Sequence, residues 1–400
     1  MRRSRAGGFW SRRRVLQMGG SLIGAYGVAS CGTNSGVSPT PPANTPTPSP
    51  SLTPTPSPAP IPTPSGGNPT FSELLARWQV GLGEDPGRFV EELETDSQLA
   101  SVARQWDPHF LTGWLNSFDH RSGDLSYWRD WHRAGRLARW FERGYSLHVI
   151  TWEDDTTLPC GDYHISAQFV QDMAELAGYI AQANPRGRPT YWSLATEFSY
   201  WRLPADTYNA DTAPYYQALM RNILRARQAI KDRLPTAVVA LCWGGWIATF
   251  DQPDRGSGRS MVPPFAETLS QMDAIAFQSM RPRQPGEFNP ELNAPDPGNP
   301  EQIRLCCQLF SPIRNNLILA HYEPAVKELH PNGGRADTAQ RDFQLMSQPA
   351  WLQEVSQLGL RYMSLMHYRL YRGDPLGALT AARQFRQQFQ PAATRSFSVL

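Results

Sequence analysis

Two glutamates directly follow apolar runs, where a charged carboxyl group is unfavourable unless it has a binding partner or a catalytic function. Glu197 follows the run 191–196 and has aromatic residues on both sides, and Glu323 follows the run 316–322. An apolar environment disfavours the charged form and raises the pKa of a carboxyl group, which suits Glu197 to act as a general acid. Two carboxyl groups in unlike environments, one protonated and one ionised, can together perform acid–base hydrolysis.

The chain that positions these glutamates alternates apolar runs with helical stretches. Strands are predicted at 78–83, 109–117, 146–152, 191–201, 237–243, 272–278, 316–322 and 361–368. Helices are predicted at 87–104, 125–142, 166–183, 213–233, 264–271, 300–309, 338–358 and 375–389. Such alternation implies parallel strands with right-handed crossovers, so the prediction is an α/β fold, a single (β/α)8 TIM barrel. An open doubly wound sheet is the alternative, and the lack of a Gly-rich loop after the first strand disfavours it.

Polar and aromatic residues concentrate at the predicted strand ends, where barrels of this kind carry their chemistry. The predicted ligand-contacting residues are Asn116, Asp119, Trp152, Glu153, Trp201, Trp243, Trp246, Gln278, Tyr322, Tyr368 and Arg369. Indole faces suit the stacking of sugar rings, and the polar groups suit their hydroxyls. His321 and His367 are the histidines near strand ends, and neither lies in an HExxH-like pattern. No metal and no cofactor is therefore predicted.

The order of these features resembles the large clan of retaining glycoside hydrolases that share this barrel. In that clan the acid/base glutamate ends the fourth strand and the nucleophile ends the seventh, which are the positions of Glu197 and Glu323 here. The stretch Ile-Thr-Trp-Glu at 150–153 is similar to the corresponding stretch of the family 26 mannanases. The resemblance covers the whole barrel and implies cleavage of a β-linked polysaccharide or oligosaccharide, with Glu323 as nucleophile and Glu197 as acid/base.

Three positions depart from the pattern of that clan. Thr196 stands where most members carry Asn or His, Pro324 follows the nucleophile, and Gln278 stands where a tyrosine is often found. These departures motivate an alternative, a catalytically inactive carbohydrate-binding barrel lipoprotein. A metal-dependent hydrolase with His and Asp ligands is a third hypothesis, which metal analysis tests.

The N-terminal 31 residues are predicted to be an export signal. The stretch Ser-Arg-Arg-Arg-Val-Leu at 11–16 resembles a twin-arginine signal, and the apolar run after it is too short for a transmembrane helix. Val28–Cys31 is similar to a lipobox, which predicts lipidation of Cys31. Residues 32–69 consist almost entirely of Pro, Thr, Ser, Gly, Asn and Ala and predict a disordered linker. The expectation is an exported, extracytoplasmic protein, lipid-anchored to the cell membrane.

Residues 70–400 remain for the catalytic domain, enough for one large core. The formal net charge of +2 includes the arginines of the signal, so the domain is near neutral and no nucleic-acid partner is predicted. The domain is predicted to be a monomer. Cys160, Cys242, Cys306 and Cys307 match no zinc spacing and are predicted to be buried thiols, with a disulfide involving Cys160 as the alternative.

Overall fold

The computed structural model of the protein describes most of the predicted catalytic domain, namely residues 69–83, 96–116, 125–152, 163–198, 208–245, 247–250, 261–280, 285–289, 294–324 and 334–391. The predicted signal, the linker as far as residue 68 and the lipidation site Cys31 lie outside the described residues. No helix within the described ranges has both the length and the apolar character needed to cross a membrane.

Eight strands form the barrel in the described chain: β1 Gln79–Gly83, β2 Phe110–Asn116, β3 Ser146–Trp152, β4 Thr190–Thr196, β5 Val238–Trp243, β6 Ala274–Ser279, β7 Leu317–Tyr322 and β8 Leu360–Leu365. Every neighbouring pair is parallel, and β1 pairs with both β2 and β8, which closes the ring. The predicted (β/α)8 barrel is thereby confirmed, and the open-sheet alternative is excluded. A small antiparallel pair, Phe288–Asn289 with Ala294–Pro295, follows β6.

The described helices are α1 Phe71–Leu75, α2 Ser97–Trp106, α3 Leu125–Arg133, α4 Arg136–Glu142, α5 Ala167–Ala183, α6 Ala213–Arg233, α7 Ile247–Phe250, α8 Val262–Gln271, α9 Gly298–Phe310, α10 Gly334–Met346, α11 Pro349–Gln357 and α12 Ala378–Arg386. The predicted single helices at 125–142 and 338–358 were wrong, because each is two helices. Gly135 breaks the first with a φ of 70°, which glycine adopts without steric cost. Pro349, which lacks an N–H donor, begins the second half of the other.

Local sequence explains the placement of α5. Ser166 lies just before it and accepts a hydrogen bond from the backbone N–H of Phe169, which caps the helix. The buried apolar residues of α5 recur every three or four positions, at Phe169, Met173, Leu176 and Ile180, so one stripe of the helix faces the barrel.

Apolar side chains divide between two clusters. The larger one fills the layer between the strands and the helices. The smaller one fills the inside of the barrel with Ile150, Ala240, Cys242, Ala274, Ala276, Ile318 and Ala320. Small residues on β5, β6 and β7 leave room for the large Trp114 and Tyr362, which pack against this inner cluster from β2 and β8. Cys242, Cys306 and Cys307 are buried free thiols as predicted, and Cys160 lies outside the described residues.

Aromatic rings close the N-terminal end of the barrel. Phe110 lies 5.2 Å from Tyr191, and Tyr191 lies 4.7 Å from Tyr362, measured between ring centroids. Gly81 makes room for this layer, because a Cβ atom there would lie 1.9 Å from Cε2 of Phe110. We refer to Gly81, Phe110, Tyr191 and Tyr362 as the floor of the barrel, and to the C-terminal ends of the eight strands as its mouth.

A row of hydrogen-bonded polar groups crosses the inside of the barrel. His148 Nδ1 lies 3.3 Å from the Thr112 hydroxyl, and Nε2 lies 2.8 Å from the Ser193 hydroxyl. Thr112 in turn contacts the Ser364 hydroxyl at 2.5 Å. Complete burial lowers the pKa of His148 to about 3, so its ring is neutral and can donate to one hydroxyl while accepting from the other.

Candidate active site

The end of β4 is an irregular piece of backbone that carries Glu197. Pairing with β3 shifts register between Ile150 and Trp152, and the Thr151 hydroxyl accepts a hydrogen bond from the Ala195 N–H at 2.7 Å. Ala195 and Glu197 have φ values of 53° and 62°, a left-handed conformation that L-residues rarely adopt. Strained residues of this kind persist where the surrounding structure enforces them, often at functional sites.

Cys242 lies on the inner face of β5, below the end of β4. Burial raises the pKa of the Cys242 thiol to about 12, the Thr196 hydroxyl works against that rise, and the Glu197 carboxylate adds to it. Burial is the main cause of this rise, and the contribution of Glu197 is the smallest of the three.

A β-bulge at the end of β7 decides which side chains enter the site. Phe277 pairs with Leu319 but Gln278 pairs with His321, so Ala320 is the extra residue. After the bulge His321 faces the inside, where its ring lies 5.2 Å from that of Trp114. Tyr322 consequently faces the helices.

His321, Glu323 and His367 form a compact group at the mouth, which we call the His–Glu cluster. Oε2 of Glu323 lies 3.3 Å from Nε2 of His367 and 3.8 Å from Nε2 of His321. One candidate ligand atom from each residue falls within 4.8 Å of the other two, so the cluster could also hold a metal ion. The Glu323 side chain is only 3 % exposed. Burying a carboxylate so fully is costly without charge or hydrogen-bond compensation, and nearby imidazoles can supply it.

Asn299 of α9 fixes the backbone around Glu323. Its amide nitrogen donates to the carbonyl oxygens of Glu323 and Pro324 at 3.4 and 3.3 Å, and its amide oxygen accepts from the Ser279 hydroxyl at 2.8 Å. The Glu323 N–H also donates to the Ser279 carbonyl at 3.0 Å. The ends of β6 and β7 are therefore tied together by a buried side chain that does not enter the mouth.

Asp342 of α10 lies behind this anchor. It accepts hydrogen bonds of 2.9 Å from Asn299 and from the Tyr322 hydroxyl. Burial raises the pKa of Asp342 to about 7, although both hydrogen bonds act in the opposite direction. A titratable group thus supports the strand end that carries Glu323.

Two tryptophans line one side of the mouth. The Trp114 ring lies 6.2 Å from that of Trp152 at an angle of 66°. Both side chains are partly exposed, and Trp114 also contacts His321. Of the predicted ligand-contacting residues, Trp152 and Gln278 thus lie on the inner face of their strands near Glu323.

Three predicted ligand-contacting residues are corrected, because the structure places them in the core. Trp243 is fully buried in the layer between strands and helices, with Phe198, Phe265 and Phe310 around it. Tyr322 packs against Phe343 and donates to Asp342. Tyr368 is fully buried in a 3₁₀ turn, Tyr368–Tyr371, that follows β8. Side chains alternate between the two faces of a strand, so a strand-end position alone does not select the inner face.

Among the other predicted ligand-contacting residues, only Arg369 has a described side chain. Arg369 lies in the same 3₁₀ turn, with its guanidinium 5.5 Å from the Tyr368 ring centroid. Asn116 ends β2, and its side chain is not described. Asp119, Glu153, Trp201 and Trp246 lie outside the described residues.

Trp114, His321 and His367 were not predicted as site residues. The alternation of Phe110, Thr112 and Trp114 along β2 could have indicated an inward Trp114. His321 depends on the bulge, and His367 adopts a left-handed conformation with a φ of 53° after the last strand. Neither feature has a signal in the sequence pattern.

No known family profile matches the chain, and no curated protein matches it significantly. Similar solved structures include a psychrophilic glycoside hydrolase family 10 endo-β-1,4-xylanase, with 11% identity, 76% of this chain and 96% of that chain covered, and a TM-score of 0.48. The catalytic domain of the β-amylase of Paenibacillus polymyxa has 12% identity, coverages of 79% and 99%, and a TM-score of 0.48. The GH53 catalytic domain of Ignisphaera aggregans has 13% identity, coverages of 82% and 99%, and a TM-score of 0.48. At these values the fold assignment rests on the closed strand order itself.

Proposed function

We propose that the barrel is a glycoside hydrolase that cleaves a β-linked polysaccharide or oligosaccharide by a retaining mechanism. The observation that carries this proposal is a buried carboxylate, Glu323, flanked by two imidazoles at the same mouth as a second carboxyl group, Glu197. The two groups follow β7 and β4, and their surroundings differ. Glu323 is buried beside two imidazoles, whereas Glu197 is partly exposed and thus less enclosed by apolar side chains than its sequence neighbours predicted. Unlike environments are what separates the roles of two carboxyl groups.

In the proposed mechanism Glu323 attacks the anomeric carbon while Glu197 gives its proton to the departing glycosidic oxygen. Glu197, now ionised, then takes a proton from the water that displaces Glu323 and restores the carboxylate. The His367 and His321 rings hold the nucleophile in place, and Asn299 fixes the backbone that carries it. Trp114 and Trp152 offer apolar ring surface on which a sugar can pack.

Substitution of the two glutamates tests the assignment. Glu323→Ala should reduce turnover by at least about 10³-fold and regain part of it with added azide, which replaces the missing nucleophile. Glu197→Ala should still accept a substrate whose leaving group needs no protonation, but release the intermediate slowly. Glu267→Ala, at an exposed position on α8, is the matched control and should keep full activity.

The first assay is a panel of plant and microbial polysaccharides, followed by NMR of the anomeric configuration of the product. Retention requires the two carboxyl groups to lie about 5–5.5 Å apart in a ligand-bound crystal structure, whereas about 6.5–9.5 Å implies inversion. A separation above about 10 Å would exclude the two-glutamate assignment. Glycan binding without turnover by the unchanged protein would identify a binding barrel instead.

Trp152, Trp201 and Trp246 remain proposed sugar-contacting residues. Trp152→Ala should weaken glycan binding by about 1–3 kcal/mol because it removes a large apolar surface from the mouth. Trp243→Ala is the matched control, since it removes the same side chain from the core and should lower stability without changing glycan affinity. Calorimetric titration with the best glycan of the panel measures both, and equal affinity losses would remove Trp152 from the proposed site.

We also propose that the protein is exported and anchored to the cell membrane through a lipid on Cys31. The support is the order of the sequence features, with a twin-arginine-like stretch, a short apolar run and a lipobox-like Val28–Cys31. Cys31→Ala should move the protein into the soluble fraction or leave an unprocessed precursor. Identical fractionation of the variant and the parent, with no lipid on either, would contradict the anchor.

A further inference from the structure

The His–Glu cluster brings three candidate ligand atoms within 4.8 Å of one another at the mouth. We propose that it binds a divalent transition-metal ion, with Zn²⁺ the best fit, through Nε2 of His321, Nε2 of His367 and Oε2 of Glu323. This proposal goes beyond the hydrolase assignment and does not depend on it.

Two of the three distances in the cluster are close to those of a tetrahedral site. Zinc binds histidine nitrogen and carboxylate oxygen at about 2.0–2.1 Å, so ligand atoms at tetrahedral angles lie about 3.4 Å apart. The observed separations from Glu323 Oε2 are 3.3 Å to His367 and 3.8 Å to His321. An octahedral ion of the same bond length needs adjacent ligands at about 3.0 Å, which is shorter than both. The ligand atoms of the two histidines lie within 4.8 Å of each other, a looser limit than the tetrahedral separation, so binding of the ion would draw the two rings together.

The donor set selects the same class of ion. Two imidazole nitrogens with one carboxylate oxygen suit zinc and its first-row neighbours, whereas calcium and magnesium prefer sites made only of oxygen. A bound dication would also offset the cost of burying the Glu323 carboxylate, whose side chain is 3 % exposed. His367 is 31 % exposed, which gives the ion a route of entry from the mouth.

The three ligands stand on backbone that is held in place. His321 and Glu323 are two residues apart, a spacing that turns both side chains toward the same side of an extended segment. The bulge in β7 sets that side toward the barrel interior, and Asn299 donates to the Glu323 carbonyl. His367 is fixed by its left-handed conformation and by the hydrogen bond from Leu370 N–H to its carbonyl at 2.8 Å. Ligands held in advance cost little to order on binding.

Gln278 provides an independent indication of an additional group at this place. Its amide oxygen is buried and has no hydrogen-bond partner among the described residues. Gln278 pairs in register with His321 and continues the inner face of β6 after Ala274 and Ala276. Buried polar atoms are rarely left without partners, and a water bound at the fourth position of the ion would donate to this oxygen.

Metal binding is measured by calorimetric titration of the full chain with Zn²⁺ after chelator treatment and dialysis. One ion per chain is expected, and Co²⁺ in place of Zn²⁺ should give the visible absorption of a tetrahedral site. His367→Asn removes the imidazole while keeping a residue that tolerates the left-handed conformation, and Glu323→Gln keeps the shape of the carboxylate. Each should weaken Zn²⁺ binding by at least about 100-fold.

His132→Asn is the matched control. His132 lies on the outer helix α3, where its ring contacts the side chain of Gln182 on α5 and not the His–Glu cluster. It should leave the affinity unchanged. Absence of Zn²⁺ binding, or binding that survives both His367→Asn and Glu323→Gln, would overturn the metal proposal.

The experiments distinguish failure of the metal site from failure of the two-glutamate hydrolase assignment. Failure to bind Zn²⁺ together with azide rescue of Glu323→Ala would remove the metal site and leave the hydrolase assignment intact. Zn²⁺ binding through these ligands with turnover that requires the ion would support the metal site and remove Glu323 as a free nucleophile. Zn²⁺ binding that inhibits turnover, relieved in step with lost affinity in His367→Asn, would support both, since the ion then occupies the attacking carboxylate.

Discussion

The mouth and the floor are built from the same eight strands, but their backbones differ. At the floor, β1 pairs in register with β2 and β8, and the Phe110 ring packs against Gly81, although β8 shifts register against β7 at Tyr362. At the mouth, β4 and β7 carry bulges, and Ala195, Glu197 and His367 adopt left-handed conformations. The N-terminal end also has a register shift at Tyr362 and a left-handed Asp107, but the mouth combines two bulges with three left-handed residues where charged and aromatic side chains meet. The difference indicates that the floor is organised for stability, whereas the mouth keeps strained conformations that place functional groups.

The largest effect is expected at the floor. Gly81→Ala should destabilise the protein by about 3 kcal/mol or more, because the new Cβ meets the buried Phe110 ring at 1.9 Å. Urea denaturation measures the loss. Gly178→Ala is the matched control, since its Cβ would meet no atom within 4 Å on α5. It should raise stability by about 0.5–1 kcal/mol, and equal effects at the two glycines would contradict the tight floor.

Behind the mouth, Asp342 should make stability depend on pH. Its pKa rises from about 3.8 in the unfolded chain to about 7 in the fold, so between these values the folded state keeps a proton that the unfolded state has lost. The contribution to stability is therefore complete below pH 4 and is lost as the pH rises through 7. Asp342→Asn should abolish this dependence, a difference on the order of 2 kcal/mol between pH 5 and pH 8.

Urea denaturation at the two pH values checks this prediction. Asp337→Asn is the control on the same helix, where Asp337 is partly exposed and paired with Arg341. Its pH profile should run parallel to that of the parent protein. A parallel profile for Asp342→Asn as well would show that Asp342 ionises normally.

Asparagine anchors at the two ends offer a direct comparison. Asn299→Ala should lower kcat by about 10–100-fold with little change in KM, because the Glu323 backbone loses its support. Asn184→Ala removes a similar anchor near the N-terminal end of β4, where Asn184 exchanges two hydrogen bonds with the Arg188 backbone. It should cost about 1 kcal/mol of stability and leave kcat unchanged. Matching kcat losses in the two variants would remove the positioning role of Asn299.

The smallest effect is expected from relief of strain. Ala195→Gly should stabilise the protein by about 0.5 kcal/mol, since a φ of 53° is unfavourable for alanine and the greater unfolded freedom of glycine offsets part of the gain. Ala177→Gly in the middle of α5 is the control and should be destabilising. Thermal unfolding of the purified variants compares them, and a less stable Ala195→Gly would show that the left-handed conformation carries no strain.

The sequence could predict the barrel because each strand and each helix has its own local pattern of apolar residues. It also predicted that Glu197 and Glu323 lie at strand ends, since both directly follow apolar runs. The sequence did not show whether a side chain at a strand end points into the barrel or toward the helices. Trp243 and Tyr322 both lie at strand ends and both face the helices, the second because of a bulge without a sequence signal.

Contacts between distant segments could not be predicted either. Asn299 lies on a helix and reaches the strand end at Glu323, and His367 comes from the turn after β8. Nothing in the spacing of these residues indicates that they meet, since their proximity follows from closure of the barrel. The sequence therefore predicted the carboxyl groups but not the residues that hold them.

The aromatic closure at Phe110, Tyr191 and Tyr362 has a kinetic consequence. Because these rings and the inner cluster fill the barrel, a ligand must arrive and depart at the mouth. A glycan chain cannot thread through the barrel and has to lie across the opening. A cleaved fragment that stays bound therefore excludes the next chain, and product inhibition of the proposed enzyme should be competitive with substrate.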